Sequence, residues 1–165
     1  MRIAFDFVAT NIGSGTKTYL INFCNNLNLN KSQNEVFIFI CKNYIKYLSF
    51  DIQNTQNIKF IIKPNYLSKA FFRIIWMQLF LPFELKILKI RKLYSPMNIA
   101  PLICRFLKIK NILTLHSNLP WKYFNMMPGN YLKKILTKKI MEISISLCDV
   151  LIVNSEYAKK EIENI

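Results

Sequence analysis

Acidic residues are scarce in this chain: Asp and Glu number 9 against 23 Lys and Arg, a formal charge of +14 over 165 residues. Such a balance favours polyanions or an anionic membrane surface as partners and carries no information about fold. Glycine is nearly missing too, with 3 in the whole chain, while 52% of residues are hydrophobic, a composition unlike that of a disordered polymer. Histidine occurs once, at His116, and the 4 cysteines (Cys24, Cys41, Cys104, Cys148) stand singly in apolar stretches with no C-x-x-C pair. That leaves no zinc ligand set, and the cysteines read as reduced core thiols of a cytosolic protein. No apolar run approaches the roughly 20 residues that span a bilayer. The most apolar stretch, Ile74 to Phe83, lies between Arg73 and Glu84 and contains Pro82. The start, Met1-Arg-Ile-Ala-Phe-Asp6, is interrupted by an acid and reads as a strand, not a signal peptide.

Familiar signatures are also lacking. There is no G-x-S-x-G, no paired carboxylates and no Cys–His pair, so the usual catalytic triads are out. RNP-like aromatics, zinc knuckles and recognition helices are missing, which argues against nucleic acid as the polyanion. A P-loop fails because Thr16 separates Gly15 from Lys17 and position 11 is Asn; a dinucleotide fingerprint fails because its third glycine position is Thr18.

What is present is an alternation of short apolar runs and helix-periodic segments. The predicted strands are Arg2–Val8, Glu35–Cys41, Asn57–Ile62, Lys92–Ser95, Asn111–His116 and Val150–Val153, continuous in apolarity as strands buried on both faces are. The predicted helices are Gly15–Leu29, Tyr44–Phe50, Ser68–Ile90 (broken or kinked at Pro82), Tyr131–Leu147 and Glu156–Ile165. This order implies an α/β fold, a Rossmann-like parallel sheet flanked by helices in a single domain. The final segment, Ser155 to Ile165, opens a good helix and stops without a cap, as a frayed terminus or a chain cut before a second domain would.

The first strand feeds the turn Asn11-Ile-Gly-Ser-Gly-Thr16 and then a helix, the way α/β proteins build an anion site. Gly13 and Gly15 let backbone approach a ligand, and free N–H groups at the helix start face it; a plain structural turn is the other reading. His116 ends a strand on the same expected rim, where ligands of open α/β sheets bind. Asn98 follows Tyr94-Ser-Pro at another strand end, and Asn154 or Ser155 is placed to cap the last helix. Basic residues gather at Lys133, Lys134, Lys138 and Lys139 and again at Lys86, Lys89, Arg91, Lys92, Lys108 and Lys110. They read either as solvated helix faces or, with Phe71, Phe72, Trp76 and Phe80 near Lys69 and Arg73, as a surface lying on anionic lipid.

Taken in order, these segments resemble the N-terminal domain of a group 1 (family 4) retaining glycosyltransferase of the GT-B fold. The resemblance is carried by Met1-Arg-Ile-Ala-Phe-Asp6 with Gly13-Ser-Gly15, and by Arg73-Ile-Ile-Trp-Met-Gln-Leu-Phe-Leu-Pro82. Leu93-Tyr-Ser-Pro-Met-Asn-Ile-Ala-Pro-Leu102, Leu113-Thr-Leu-His116 and Asp149-Val-Leu-Ile-Val-Asn-Ser-Glu156 complete it. The family usually has His-Asp where this chain has His116-Ser117, and Trp-Glu-Gln where it has Trp76-Met77-Gln78. The resemblance implies an acceptor-side domain, residues 1–165, without the donor-binding C-terminal domain. It implies a nucleotide-sugar donor as substrate, a polysaccharide or glycolipid acceptor, no metal or other cofactor, and no nucleic acid. It places Gly13, Gly15, Thr16 and Ser155 at the donor, His116 beside the transferred sugar, and Asn98 and Asn118 near the acceptor. The implied location is cytoplasmic, with peripheral attachment at the inner membrane face. The alternative is a non-catalytic basic α/β module that binds an anionic membrane or a partner glycosyltransferase chain.

Overall fold

The structure, a computed structural model, describes residues 1–8, 15–26, 35–48, 57–116 and 119–162. Its centre is a 6-stranded sheet of order β3-β2-β1-β4-β5-β6 in which every pairing is parallel. The strands are β1 (Arg2–Phe7), β2 (Glu35–Cys41), β3 (Ile58–Lys63), β4 (Lys92–Ser95), β5 (Lys110–Leu115) and β6 (Val150–Val153). The α/β class and parallel sheet expected from the apolar pattern are therefore the ones observed. The interior strands β1 and β2 are buried on both faces, as continuous apolarity requires. The edge strands β3 and β6 are not: Ile62, Val150 and Ile152 are exposed, because each edge strand has sheet on one side only.

Side chains of β1 alternate between two layers. Phe5 and Phe7 meet α1 (Gly15–Asn26) through Phe23, at 4.7 and 5.7 Å between ring centres. Asp6 points the other way, to Arg73 on the long helix α3, residues 70–87. Phe39 of β2 packs on Trp76 of the same helix, at 5.9 Å. Helices thus cover both faces. The shorter α2 (Lys42–Ile45) and α4 (Leu119–Lys122) are single turns, and α5 (Tyr131–Leu147) and α6 (Glu156–Ile162) flank β6. Asn130 caps α5 by accepting from the Lys133 N–H at 3.0 Å.

Helix α3 does not break at Pro82. It continues as Ala70–Ile75, a π-helical turn Trp76–Phe80, and Leu81–Ile87. Proline has no N–H and its ring crowds the carbonyl four residues back, so widening the preceding turn lets the helix pass. In that turn the Leu81 N–H bonds to Trp76 O. Gln78, within it, donates to Ala100 O at 3.1 Å and accepts from Leu102 N at 2.9 Å, fixing the loop after β4. Arg73 and Trp76 are buried, at 7% and 5% exposure, so neither belongs to the lipid-facing surface the sequence suggested. Arg73 has an acid to meet and Trp76 an aromatic core, and both are pulled inward. Cys41 and Cys104 are free and buried, as expected, whereas Cys148 is only partly covered.

Candidate functional site

The chain leaves β1 toward β2 on one side and returns to β4 on the other, so the order of strand addition reverses between β1 and β4. In open parallel sheets this topological switch point, beyond the carboxyl ends of the strands, is where ligands bind. Three elements converge there. Helix α1 begins at Gly15, β4 ends at Ser95, and β5 delivers His116.

The His116 backbone is held on both sides. Its N–H donates to Asn98 Oδ1 at 2.6 Å, and its carbonyl accepts from Asn154 Nδ2 at 3.5 Å. Asn98 itself sits in the left-handed region (φ 61°), a conformation asparagine tolerates better than most residues, and donates its N–H to Thr114 O at 3.1 Å. The imidazole is exposed and stands edge-on to the Tyr19 ring, at 5.6 Å and 77°. His116 is therefore brought beside the first turns of α1, the same helix that opens at Gly15 and Thr16.

Beneath it runs a chain of hydroxyls that sequence reading did not single out. Tyr19 is hydrogen-bonded to Tyr94 of β4, which is bonded to Thr114 Oγ1 of β5 at 2.7 Å. Burial, then the bond to Tyr94, raises the Tyr19 phenol well above its usual range, so it stays protonated at neutral pH and cannot serve as a general base. The visible signal was a polar side chain, Thr114, within the apolar stretch Ile112–Leu115. Behind the end of β1 lies a second polar group. Asp6, with 0% exposure, accepts from Val8 N at 3.1 Å and faces the Arg73 guanidinium at 3.4 Å. Cys41 Sγ donates to Val8 O at 3.0 Å, and burial pushes its thiol up to about 11.

Of the residues proposed from sequence, His116, Asn98, Gly15 and Thr16 come to this rim, and Ser155 lies at the end of neighbouring β6, directly before α6. Asn98 uses its carboxamide oxygen on the His116 main chain, so it positions the histidine. Ser155 is exposed and its carbonyl accepts from Lys159 N at 3.0 Å. Gly13 and Asn118 lie outside the described residues. Among the described residues no group of three or more His, Cys, Asp or Glu could hold a metal ion. No protein-family model matches the chain, and no curated protein matches it significantly.

Proposed function

We propose that the rim between β1 and β4 is the acceptor-side half of a glycosyl-transfer site, in the manner of the retaining GT-B enzymes that the sequence resembles. The observation that carries this reading is the contact of His116 with Tyr19, which joins the end of β5 to the glycine-opened start of α1 at the switch point. In the proposed reaction the bond from the sugar's anomeric carbon to phosphate oxygen breaks. The diphosphate leaves with the electron pair, and the acceptor hydroxyl oxygen bonds the same face of the sugar while its proton passes to the departing phosphate oxygen. The backbone N–H groups at the start of α1 suit the leaving diphosphate electrostatically, and His116 meets the sugar.

Magnitude decides how much of the job this chain can do. A helix N-terminus stabilises an anion by about 0.3–2 kcal/mol. A few such contributions reach roughly 4 kcal/mol, which is near-millimolar affinity. The reading is therefore of a half-site with no appreciable turnover alone. His116 is the one histidine, so its imidazole gives a single NMR signal. Titration with nucleoside diphosphates and nucleotide-sugars should shift that signal saturably at millimolar concentration, without sugar transfer. An unmoved signal up to 20-fold higher concentrations sinks the site, and robust transfer by these 165 residues sinks the half-site.

A further inference from the structure

Helix α3 exposes an apolar row at i, i+4 spacing: Phe71 (70% exposed), Ile75 (37%), Leu79 (52%), Phe83 (54%) and Ile87 (78%). The opposite row, Arg73, Met77, Leu81 and Leu85, is buried. In an uninterrupted α-helix five positions spaced by four would fan over about 160°. The π turn at Trp76–Phe80 takes back about 100°, leaving the row within about 60°, a single ridge. Beside the ridge an apolar hollow of about 350 Å³ opens between Tyr66, Phe72 and Phe80. The carboxylate on α3, Glu84, is occupied by Lys63 and by the Trp76 indole N–H at 3.0 Å.

The end of the helix adds charge. An open hollow of about 510 Å³ lies between Lys86, Lys89, Arg91 and Lys108, with no carboxylate among its lining residues. Ile87 and Phe106, next in the chain to lining residues, are 78% and 79% exposed. Cations around an open hollow, flanked by protruding apolar side chains, match the boundary between lipid headgroups and acyl chains. A second copy docking through this face would set cations against cations. A nucleic acid would leave the apolar ridge without a partner.

We propose that this face docks on an anionic bilayer, the α3 ridge lying in the interface and the basic hollow taking phospholipid headgroup phosphates. The inference does not depend on the sugar-transfer reading. The test is co-sedimentation of the full chain with vesicles of phosphatidylglycerol and phosphatidylcholine, against phosphatidylcholine alone. Binding should be at least tenfold tighter on the anionic vesicles. Phe83→Ser/Ile87→Ser should weaken it tenfold or more, and Lys86→Gln/Lys89→Gln by about fivefold for each cation removed. Phe71→Ser alone, at the far end of the ridge, should weaken it measurably and serves should the double variant not fold. Leu132→Ser/Leu136→Ser, on the exposed face of α5, should leave binding unchanged. Equal partition onto neutral vesicles overturns the proposal, as does loss with the α5 variant in place of the α3 variants. So does RNA binding that the lysine variant abolishes while vesicle binding persists, or a dimer that Phe83→Ser/Ile87→Ser dissolves.

Discussion

Asp6 and Arg73 form an ion pair almost wholly out of water, and its geometry is poor. The single contact is 3.4 Å, and Arg73 Nε is buried with no hydrogen-bond partner among the described residues. Two consequences follow in opposite directions. Removing one partner strands the other charge in the core, which costs about 3–5 kcal/mol. Removing both relieves desolvation that the pair repays badly, so the double change should be far milder than the sum and can be neutral or stabilising by about 1–4 kcal/mol. Asp6→Asn keeps an oxygen for the Val8 N–H and tests the charge alone; Arg73→Met fills a similar volume without charge. Urea unfolding followed by far-UV circular dichroism should show each single variant losing about 3 kcal/mol or more, out of the 5–15 kcal/mol typical of a domain. Asp6→Asn/Arg73→Met should recover most of that loss, leaving about 1 kcal/mol or less, a coupling of about 5 kcal/mol or more. Additive single effects below about 1 kcal/mol would refute the reasoning, because the two charges would then be solvated in the folded protein.

Other outcomes follow from the same geometry. Asn98→Ala should cost about 2 kcal/mol, half from left-handed backbone and half from the lost bond to the His116 N–H, whereas Asn98→Gly should lose only the bond; both should speed hydrogen exchange at the His116 amide. Burial pushes the thiols of Cys41 and Cys104 up to about 11 and about 12 from 9.0. The stability they contribute is fully present below pH 9, where the unfolded thiols are still protonated, and is lost as pH rises through those folded values. Between pH 9 and 10.5 unfolding free energy should fall by about 1.4 kcal/mol per unit for each thiol, and Cys41→Ala/Cys104→Ala should flatten the slope. An equal slope in the double alanine variant would show that the thiols ionise alike in both states.

The sheet was legible because its signal is local. Glu35–Cys41, Lys92–Ser95, Val150–Val153 and the helix Tyr131–Leu147 have the boundaries their apolar periods predict, β1 ends one residue earlier, and β3 and β5 are each shifted by one residue at both ends. Parallel pairing followed from strands apolar on both faces. What periodicity does not carry is partner identity. Arg73 in an amphipathic run looks like a surface cation, and only Asp6, 67 residues away, draws it inside. Val150–Val153 reads as a central strand, yet its edge position exposes alternate residues. Pro82 signals a break, but the cost is absorbed one turn earlier. At the site, His116 was visible as the end of a strand, whereas the chain Tyr19–Tyr94–Thr114 joins three elements and exists only in the folded sheet.

The two proposed surfaces lie at different places on one frame, and that makes them separable. Helix α3 passes from the carboxyl end of β1, where Arg73 meets Asp6, to its amino end, where Leu88 O accepts from Arg2 Nη1 at 2.9 Å. At 1.5 Å per residue its 70–87 span is about 27 Å long. The basic hollow sits just before β4 and β5, on the rim opposite His116. A ridge laid on a bilayer therefore holds the sheet's strands roughly along the membrane, and the switch-point rim opens sideways over the surface, where the sugar of a lipid-linked acceptor would stand. His116→Ala should accordingly leave vesicle partition unchanged, while Phe83→Ser/Ile87→Ser should leave the nucleotide-induced shift of the His116 signal unchanged in solution. Were either variant to abolish both responses with its fold intact, the two surfaces would be one site, and a sheet with its ligand on one rim and lipid along α3 could not account for it.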